Sequence, residues 1–237
     1  DGRFPLLVKL LDAREHLSVQ VHPPEDVAHS DPAVRAKTES WYVLDAIEGS
    51  RLWLDVRPEV ADSELAAGVG SPAVVSMLGE VPVGPGDFHH IPAGRIHALG
   101  GGVLVFEIQT PSDTTFRIYD WTVEYDRAGR ELHPGEAIAS IVRSDPSAVS
   151  IPAASSGGVR TLLETPAYWL REHRAEADRI DLDPRPELRV LMMVAGKVVL
   201  GDEEVVAGEL VMLPAASSLL GSLEATPGSV LLEAGIT

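Results

Sequence analysis

The feature that most constrains the fold is a series of short aliphatic and β-branched runs separated by Gly, Pro, Asp and Ser. Runs of about four to eight such residues, with turn residues between them, are typical of strands. They occur at residues 17–21, 41–46, 51–56, 102–109, 115–121, 188–195, 197–200, 209–213 and 229–233. Helical periodicity is scarce, and the candidate helices are residues 24–28 with 32–37, 63–68 and 134–142. The sequence therefore predicts an all-β fold, a sandwich or barrel with a few short helices.

The composition changes over residues 144–158, which are rich in Ser, Pro, Gly and Ala. A stretch of this kind is typical of a linker or a long surface loop. Residues 1–143, which contain most of the histidines, and residues 159–237, a smaller β segment, are therefore expected to form two domains.

A weak repeat relates residues 86–97 to residues 208–219, because both begin with Gly and carry Pro six positions later. The first copy ends in His97, whereas the second has Ala216 and Leu219 where the first has Gly94 and His97. Only the first copy is therefore expected to hold a metal.

The charge balance excludes several classes of partner. Nineteen basic and 36 acidic residues give a formal net charge of −17. Nucleic acids and anionic membranes are bound through basic surfaces, so neither is an expected partner.

No apolar stretch approaches the roughly 18 residues of a membrane span. The absence of cysteine excludes disulfides and thiolate metal sites and fits a reducing cytoplasm.

Two strand candidates carry polar residues in an alternating pattern. Ser18, Gln20 and His22 share one face of a strand whose other face is aliphatic. By itself this pattern fits a solvated strand as well as a site. Glu107 shares a face with Gln109 in an otherwise apolar strand, and a carboxylate buried there needs a partner because an unpaired buried charge is costly.

The pattern Gly-x5-Pro-x-Gly-x2-His at residues 86–97 resembles the second signature of the cupin superfamily, in which a turn delivers a histidine to a metal inside a small β-barrel. Three more motifs accompany it: Ser-Val-Gln-Val-His-Pro at 18–23, Lys-Thr-Glu at 37–39, and Ser-Asp-Thr-Thr-Phe-Arg-Ile-Tyr-Asp-Trp at 112–121. In this order they resemble the type I mannose-6-phosphate isomerases, in particular their shorter bacterial form. The resemblance runs from about residue 4 to residue 133.

The resemblance implies a cupin-type jelly-roll barrel in residues 1–143, which would be the metal-binding catalytic domain, and a smaller, degenerate cupin-like unit in residues 159–237. It implies one zinc ion per chain. The matching ligands are Gln20, His22, Glu39 and His97. Members of the family usually carry a further segment before the region that begins at residue 4, and that segment is not in this sequence.

The resemblance also implies a cytoplasmic enzyme that interconverts mannose 6-phosphate and fructose 6-phosphate through a cis-enediol. The matching catalytic residues are Lys37, Glu107, Asp113 and Arg117, and the matching substrate contacts are Ser18, Lys37 and Arg117. The general base is left open between a zinc-bound hydroxide, Lys37 and Asp113. The sequence does not indicate the oligomeric state.

Two other functions compete with the isomerase. A non-catalytic cupin could bind a sugar phosphate as a sensor or scaffold, but a binder has no need of a proton-transfer set such as Lys37, Asp113 and Arg117. An iron-dependent cupin oxygenase usually has several histidine ligands, and the amide of Gln20 fits redox-inactive zinc better.

Overall fold

A computed structural model describes residues 5–143, 145, 148–215 and 221–237. The chain divides into two compact units, Asp1–Ala153 and Ala154–Thr237. Three sets of residues named above lie outside the described part of the chain. They are residue 4, where the family resemblance begins, residues 144, 146 and 147 of the predicted linker, and residues 216–219 of the second repeat copy. That only the first repeat copy, with Gly94 and His97, holds a metal, and not the second, with Ala216 and Leu219, therefore stays a prediction from the sequence.

The first unit consists of ten strands and four short helices among its described residues. The strands are β1 (Leu7–Ala13), β2 (Val19–Val21), β3 (Glu39–Ala46), β4 (Arg51–Val56), β5 (Leu78–Pro82), β6 (Phe88–Ile91), β7 (His97–Leu99), β8 (Val103–Gln109), β9 (Phe116–Tyr119) and β10 (Ser150–Ile151). The helices are α1 (Glu25–Ser30), α2 (Asp62–Gly68), α3 (Ala73–Ser76) and α4 (Pro134–Ser140).

These strands form two antiparallel sheets. The first sheet has the order β1-β8-β3-β6-β10 and the second has the order β5-β4-β7-β2-β9. One core cluster takes side chains from both sheets, so the sheets pack face to face. Its buried members are Ala13, Trp41, Val43, Leu52, Leu54, Ile91, Leu99, Val103 and Val105.

The opposite face of the second sheet is covered by the short helices. Val19 and Val21 of β2 point to this side and pack with Leu65 of α2, Val74 of α3 and Ala137 of α4. Because side chains alternate along a strand, Gln20 points the other way, toward the first sheet.

A row of directly opposed residues crosses the first sheet and includes three titratable side chains. It consists of Lys9, Glu107, Trp41, His89 and Ser150 on β1, β8, β3, β6 and β10. Directly opposed residues in antiparallel strands point to the same face. Trp41 belongs to the core between the sheets, so the whole row faces the interior of the unit.

The second unit is also built of antiparallel strands. They are β11 (Gly158–Glu164), β12 (Tyr168–Arg174), β13 (Arg179–Asp181), β14 (Arg189–Ala195), β15 (Lys197–Leu200), β16 (Glu203–Val206), β17 (Leu210–Leu213), β18 (Ser222–Ala225) and β19 (Val230–Ile236). Their sheets have the orders β11-β12-β19-β14-β17 and β13-β18-β15-β16. The core is aliphatic, and it includes Leu191, Met193, Val198 and Leu231.

The predicted all-β class with a few short helices is confirmed. Each predicted strand overlaps a strand of the structure, although others, β1 among them, were not predicted. The prediction of a helix at residues 32–37 is wrong. Asp31 closes a single turn there, since its carboxylate accepts from Ala33 N and its carbonyl from Val34 N, and the chain then extends. None of the described helices combines the length and apolarity needed to span a membrane.

Candidate metal centre

Three strands bring the four predicted metal ligands together. Gln20 lies in β2, and His22 directly follows that strand. Glu39 is the first residue of β3 and His97 the first residue of β7. Gln20 is directly opposite His97 in the second sheet. The ligands therefore come from both sheets and meet between them.

The turn before β7 explains how His97 reaches the interior. Arg95 N donates to the carbonyl of Pro92 at 3.1 Å, which closes a tight turn. Gly94 has a φ of +90° in this turn, a conformation that favours glycine because it has no Cβ. The Gly and Pro of the sequence pattern thus serve to deliver His97.

His22, Glu39 and His97 form a compact buried cluster. His22 Nε2 lies 3.1 Å from Glu39 Oε2, and His97 Nε2 lies 3.2 Å from Glu39 Oε1. The ligand atoms of the three residues all lie within 4.8 Å of one another. Within the described residues, no other group of three or more His, Asp or Glu has its ligand atoms this close.

Both imidazoles are oriented by main-chain carbonyls. His22 Nδ1 donates to Thr114 O at 3.0 Å, and His97 Nδ1 donates to Arg95 O at 2.8 Å. A carbonyl can only accept, so each Nδ1 carries the proton. Burial lowers the pKa of His22 to about 4, which keeps its ring neutral near pH 7. The Nε2 atom that faces Glu39 is then a bare lone pair.

This arrangement fits a cation. Glu39 is 1% exposed, and no described group donates a hydrogen bond to its Oε1. The lone pair of His22 Nε2 therefore lies beside a buried carboxylate whose Oε1 has no described donor, which is unfavourable unless a positive ion joins them. Imidazole nitrogen and carboxylate oxygen are suitable zinc donors.

Gln20 completes the ring of polar groups around the cluster. Its Nε2 lies 3.2 Å from His97 Nε2, and its Oε1 accepts a hydrogen bond of 3.0 Å from Ser18 Oγ. Rotation of the terminal amide by a half-turn exchanges its oxygen and nitrogen. In that orientation the amide oxygen would face the cluster, while Ser18 Oγ could accept from the amide nitrogen.

Lys37 and Glu107 lie in the same interior. Lys37 Nζ lies 2.8 Å from Glu39 Oε2, and the Lys37 side chain is only 7% exposed. Glu107 accepts from Trp41 Nε1 at 3.3 Å, and the Trp41 ring stands edge-on to His97. Burial, followed by the charge of Glu39, raises the pKa of Glu107.

Lys9 is a site residue that the sequence analysis missed. Its Nζ donates to Glu107 Oε1 at 2.7 Å and also donates to Gln109 Oε1. A carboxylate in an apolar strand needs a partner of opposite charge, and so does a lysine in the apolar strand β1. A search for the partner of Glu107 among such lysines could have found it.

Arg117 and Ser18 are in contact, whereas Asp113 stands apart. Arg117 lies opposite Gln20 in the second sheet, and its Nε donates to Ser18 Oγ at 3.3 Å. Asp113 is exposed in the loop between β8 and β9, and no described hydrogen bond or ion pair joins it to the other predicted site residues. His133, a residue that the sequence did not single out, accepts from Arg117 N through its Nδ1 at 3.1 Å.

The chain is similar in sequence to known proteins. Residues 1–50 match the family model "Phosphomannose isomerase type I, catalytic domain". A mannose-6-phosphate isomerase of Streptococcus mutans is 32% identical over 205 residues, which cover 85% of this chain and 65% of that protein. Mannose-6-phosphate isomerase ManA of Bacillus subtilis is 39% identical over 145 residues, 59% of this chain and 44% of its own length. The chain thus spans less than two thirds of these relatives.

A solved structure shares the architecture. The mannose 6-phosphate isomerase of Bacillus subtilis superimposes with a TM-score of 0.80 at 25% identity, covering 99% of this chain and 76% of that one. In its sequence motifs, its fold and these matches, the chain is similar to the type I phosphomannose isomerases.

Proposed function

We propose that the first unit holds one zinc ion per chain and interconverts mannose 6-phosphate and fructose 6-phosphate through a cis-enediol. The observation that carries this proposal is the buried cluster of His22, Glu39 and His97, whose ligand atoms all lie within 4.8 Å of one another and in which Glu39 Oε1 accepts no hydrogen bond from a described group. The names of the relatives support the choice of reaction, since both curated proteins described above are mannose-6-phosphate isomerases.

The proposed zinc ligands are Gln20, His22, Glu39 and His97. One carboxylate against a divalent ion leaves a net charge of +1 among these groups, which favours an anionic sugar phosphate in a protein of net charge −17. When bound, zinc would supply a Lewis acid that polarises an oxygen of the substrate.

Lys37 and Glu107 are proposed to handle charge and protons. The ammonium of Lys37 lies 2.8 Å from Glu39 Oε2 and can stabilise negative charge on the enediol oxygens. Proton transfer between C1 and C2 needs a group whose pKa lies closer to neutrality than that of an ordinary carboxyl. The pKa of Glu107 moves in that direction, so we propose that its carboxylate holds the transferred proton.

Arg117, Ser18 and Asp113 are proposed to contact the substrate. Arginine binds phosphate through paired N–H donors, and a hydroxyl adds a further donor. Arg117 and Ser18 are already joined by a hydrogen bond, so they can act on one phosphate group. Asp113, exposed in its loop, is proposed to orient the sugar rather than to move the proton.

The decisive experiment follows fructose 6-phosphate formation from mannose 6-phosphate by the full chain. We expect turnover with zinc, loss of turnover after chelation, and a decrease of at least about 100-fold for His97→Ala. His29→Ala is the matched control, because His29 is exposed on α1, and it should leave turnover unchanged.

Zinc-loaded wild-type protein without turnover would overturn the isomerase proposal. If such protein still bound the sugar phosphate, the non-catalytic cupin would be the better description.

A further inference from the structure

The turn that carries His97 is held by an ion pair. Arg95 supplies the main-chain carbonyl that accepts from His97 Nδ1. The side chain of the same residue turns away from the cluster and donates from Nε and Nη2 to the two carboxylate oxygens of Asp55, at 2.9 and 2.7 Å. A bidentate pair of this kind fixes direction as well as distance.

Arg95 also ties the turn to the first sheet. Its Nη1 donates to the carbonyl of His90 at 2.7 Å, and its side chain is 8% exposed. The guanidinium therefore joins the turn to β4 through Asp55 and to β6 through His90. Three separate segments meet at this buried cation.

Asp55 has an unusual backbone conformation. Its φ is +62°, which non-glycine residues rarely adopt. It occupies a bulge in β4 between Leu54 and Val56, and its N–H donates to Ile96 O at 3.1 Å. Leu54 in turn lies directly opposite His97. Such a conformation persists only where surrounding contacts hold it in place. The contacts of Asp55 described here are with Arg95 and Ile96, which directly precede His97.

We propose that the Asp55–Arg95 pair is a positioning device for His97. By fixing the turn, it holds the Arg95 carbonyl where it keeps the proton on His97 Nδ1 and the Nε2 lone pair directed at the metal. Neither Asp55 nor Arg95 is among the proposed metal ligands or substrate contacts. The inference rests on the proposed function, because it assumes that His97 is a metal ligand.

The test measures metal affinity rather than turnover. Zinc binding to the full chain is measured by competition with a chromophoric chelator, and the visible absorption of the cobalt-substituted protein reports ligand geometry. We expect Arg95→Ala to weaken zinc binding by roughly 10-fold to 100-fold and to alter the cobalt spectrum. Arg95→Lys, which keeps the charge but loses the fork, should fall between wild type and Arg95→Ala.

Arg51→Ala is the matched control. Arg51 belongs to the same strand as Asp55, but its partner Glu80 and Arg51 itself are both about half exposed. Loss of that surface pair should leave zinc affinity and the cobalt spectrum unchanged.

The outcomes separate the two proposals. If wild type binds zinc and Arg95→Ala binds it equally well with the same cobalt spectrum, the positioning inference is wrong. If Arg95→Ala does not fold, Asp55→Asn decides, because it keeps the size of the side chain while it weakens the fork, and unchanged affinity there would equally overturn the inference. A wild-type protein that binds no metal would overturn the proposed function itself.

Discussion

Two adjacent histidines should make the first unit sensitive to acid. His89 and His90 lie in β6 and are 3% and 2% exposed. Each ring is within 2.9 Å of a serine hydroxyl, that of Ser150 for His89 and that of Ser40 for His90. Burial lowers the pKa of each histidine from 6.5 to about 4, and the nearby charge of Arg95 lowers it in both cases.

The sign of the effect follows from proton uptake by the unfolded chain. Above pH 6.5 both histidines are neutral in the folded and unfolded states. Between pH 6.5 and pH 4 the unfolded chain binds protons that the folded chain excludes, so stability falls as the pH falls. A shift of one pKa unit corresponds to about 1.4 kcal/mol. At pH 5, about 1.5 units below the unfolded value, each histidine should cost about 2 kcal/mol and the two together about 4 kcal/mol.

Urea-induced unfolding at fixed ionic strength measures this loss. Three of the four tryptophans, Trp41, Trp53 and Trp121, belong to the first unit, so fluorescence reports mainly on that unit. The double variant His89→Gln, His90→Gln keeps polar partners for the serines but cannot titrate. We expect the wild-type free energy of unfolding to fall by about 4 kcal/mol more than that of the double variant between pH 7.5 and pH 5.

His29→Gln is the control, because an exposed histidine on α1 should not change the pH dependence. The reasoning would be refuted by parallel stability curves for wild type and the double variant. It would also be refuted if NMR titration of the folded protein showed both imidazoles protonating near pH 6.5.

Two further variants test other parts of the structure. Gly94→Ala should lower the melting temperature and weaken zinc binding, because φ is +90° there and the new Cβ would lie 2.6 Å from the Val142 side chain; an unchanged melting curve would contradict this. Glu233→Gln should destabilise the second unit by about 3 to 5 kcal/mol, because buried Glu233 pairs with both His173 and Arg189 and its loss leaves a buried cation uncompensated. The zinc affinity of Glu233→Gln should not change. Calorimetry would measure its loss of stability, and zinc competition on the same protein would measure its affinity.

Alternation made part of the centre predictable from the sequence. In a strand, the period of two puts Gln20 on a polar face and puts Glu107 on the same face as Gln109 before any fold is known. The pattern of Gly and Pro before His97 likewise predicts a turn, and the turn is present. Both inferences depend only on local geometry, which the sequence encodes directly.

The remaining features depend on tertiary contacts. Lys9 joins the centre through a partner about a hundred positions away; the sequence indicates that Glu107 needs a partner, but the local pattern does not say which residue supplies it. The bulge at Asp55 and the helix α3, which is four residues long, carry too little sequence signal to predict. Residues 32–37 were expected to be helical, but Asp31 caps a turn instead, and the extended chain that follows leads Lys37 to Glu39.

The two imidazoles are anchored by peptide oxygens, which every amino acid possesses. Replacing Thr114 or Arg95 by another residue leaves the hydrogen-bond acceptor of His22 or His97 chemically intact and can only displace it. Because both acceptors are main-chain atoms, a substitution of either residue does not remove the acceptor that fixes the tautomer of the ligand. Substitutions at these two positions can therefore shift the geometry of the centre without removing the hydrogen bond that orients each ring.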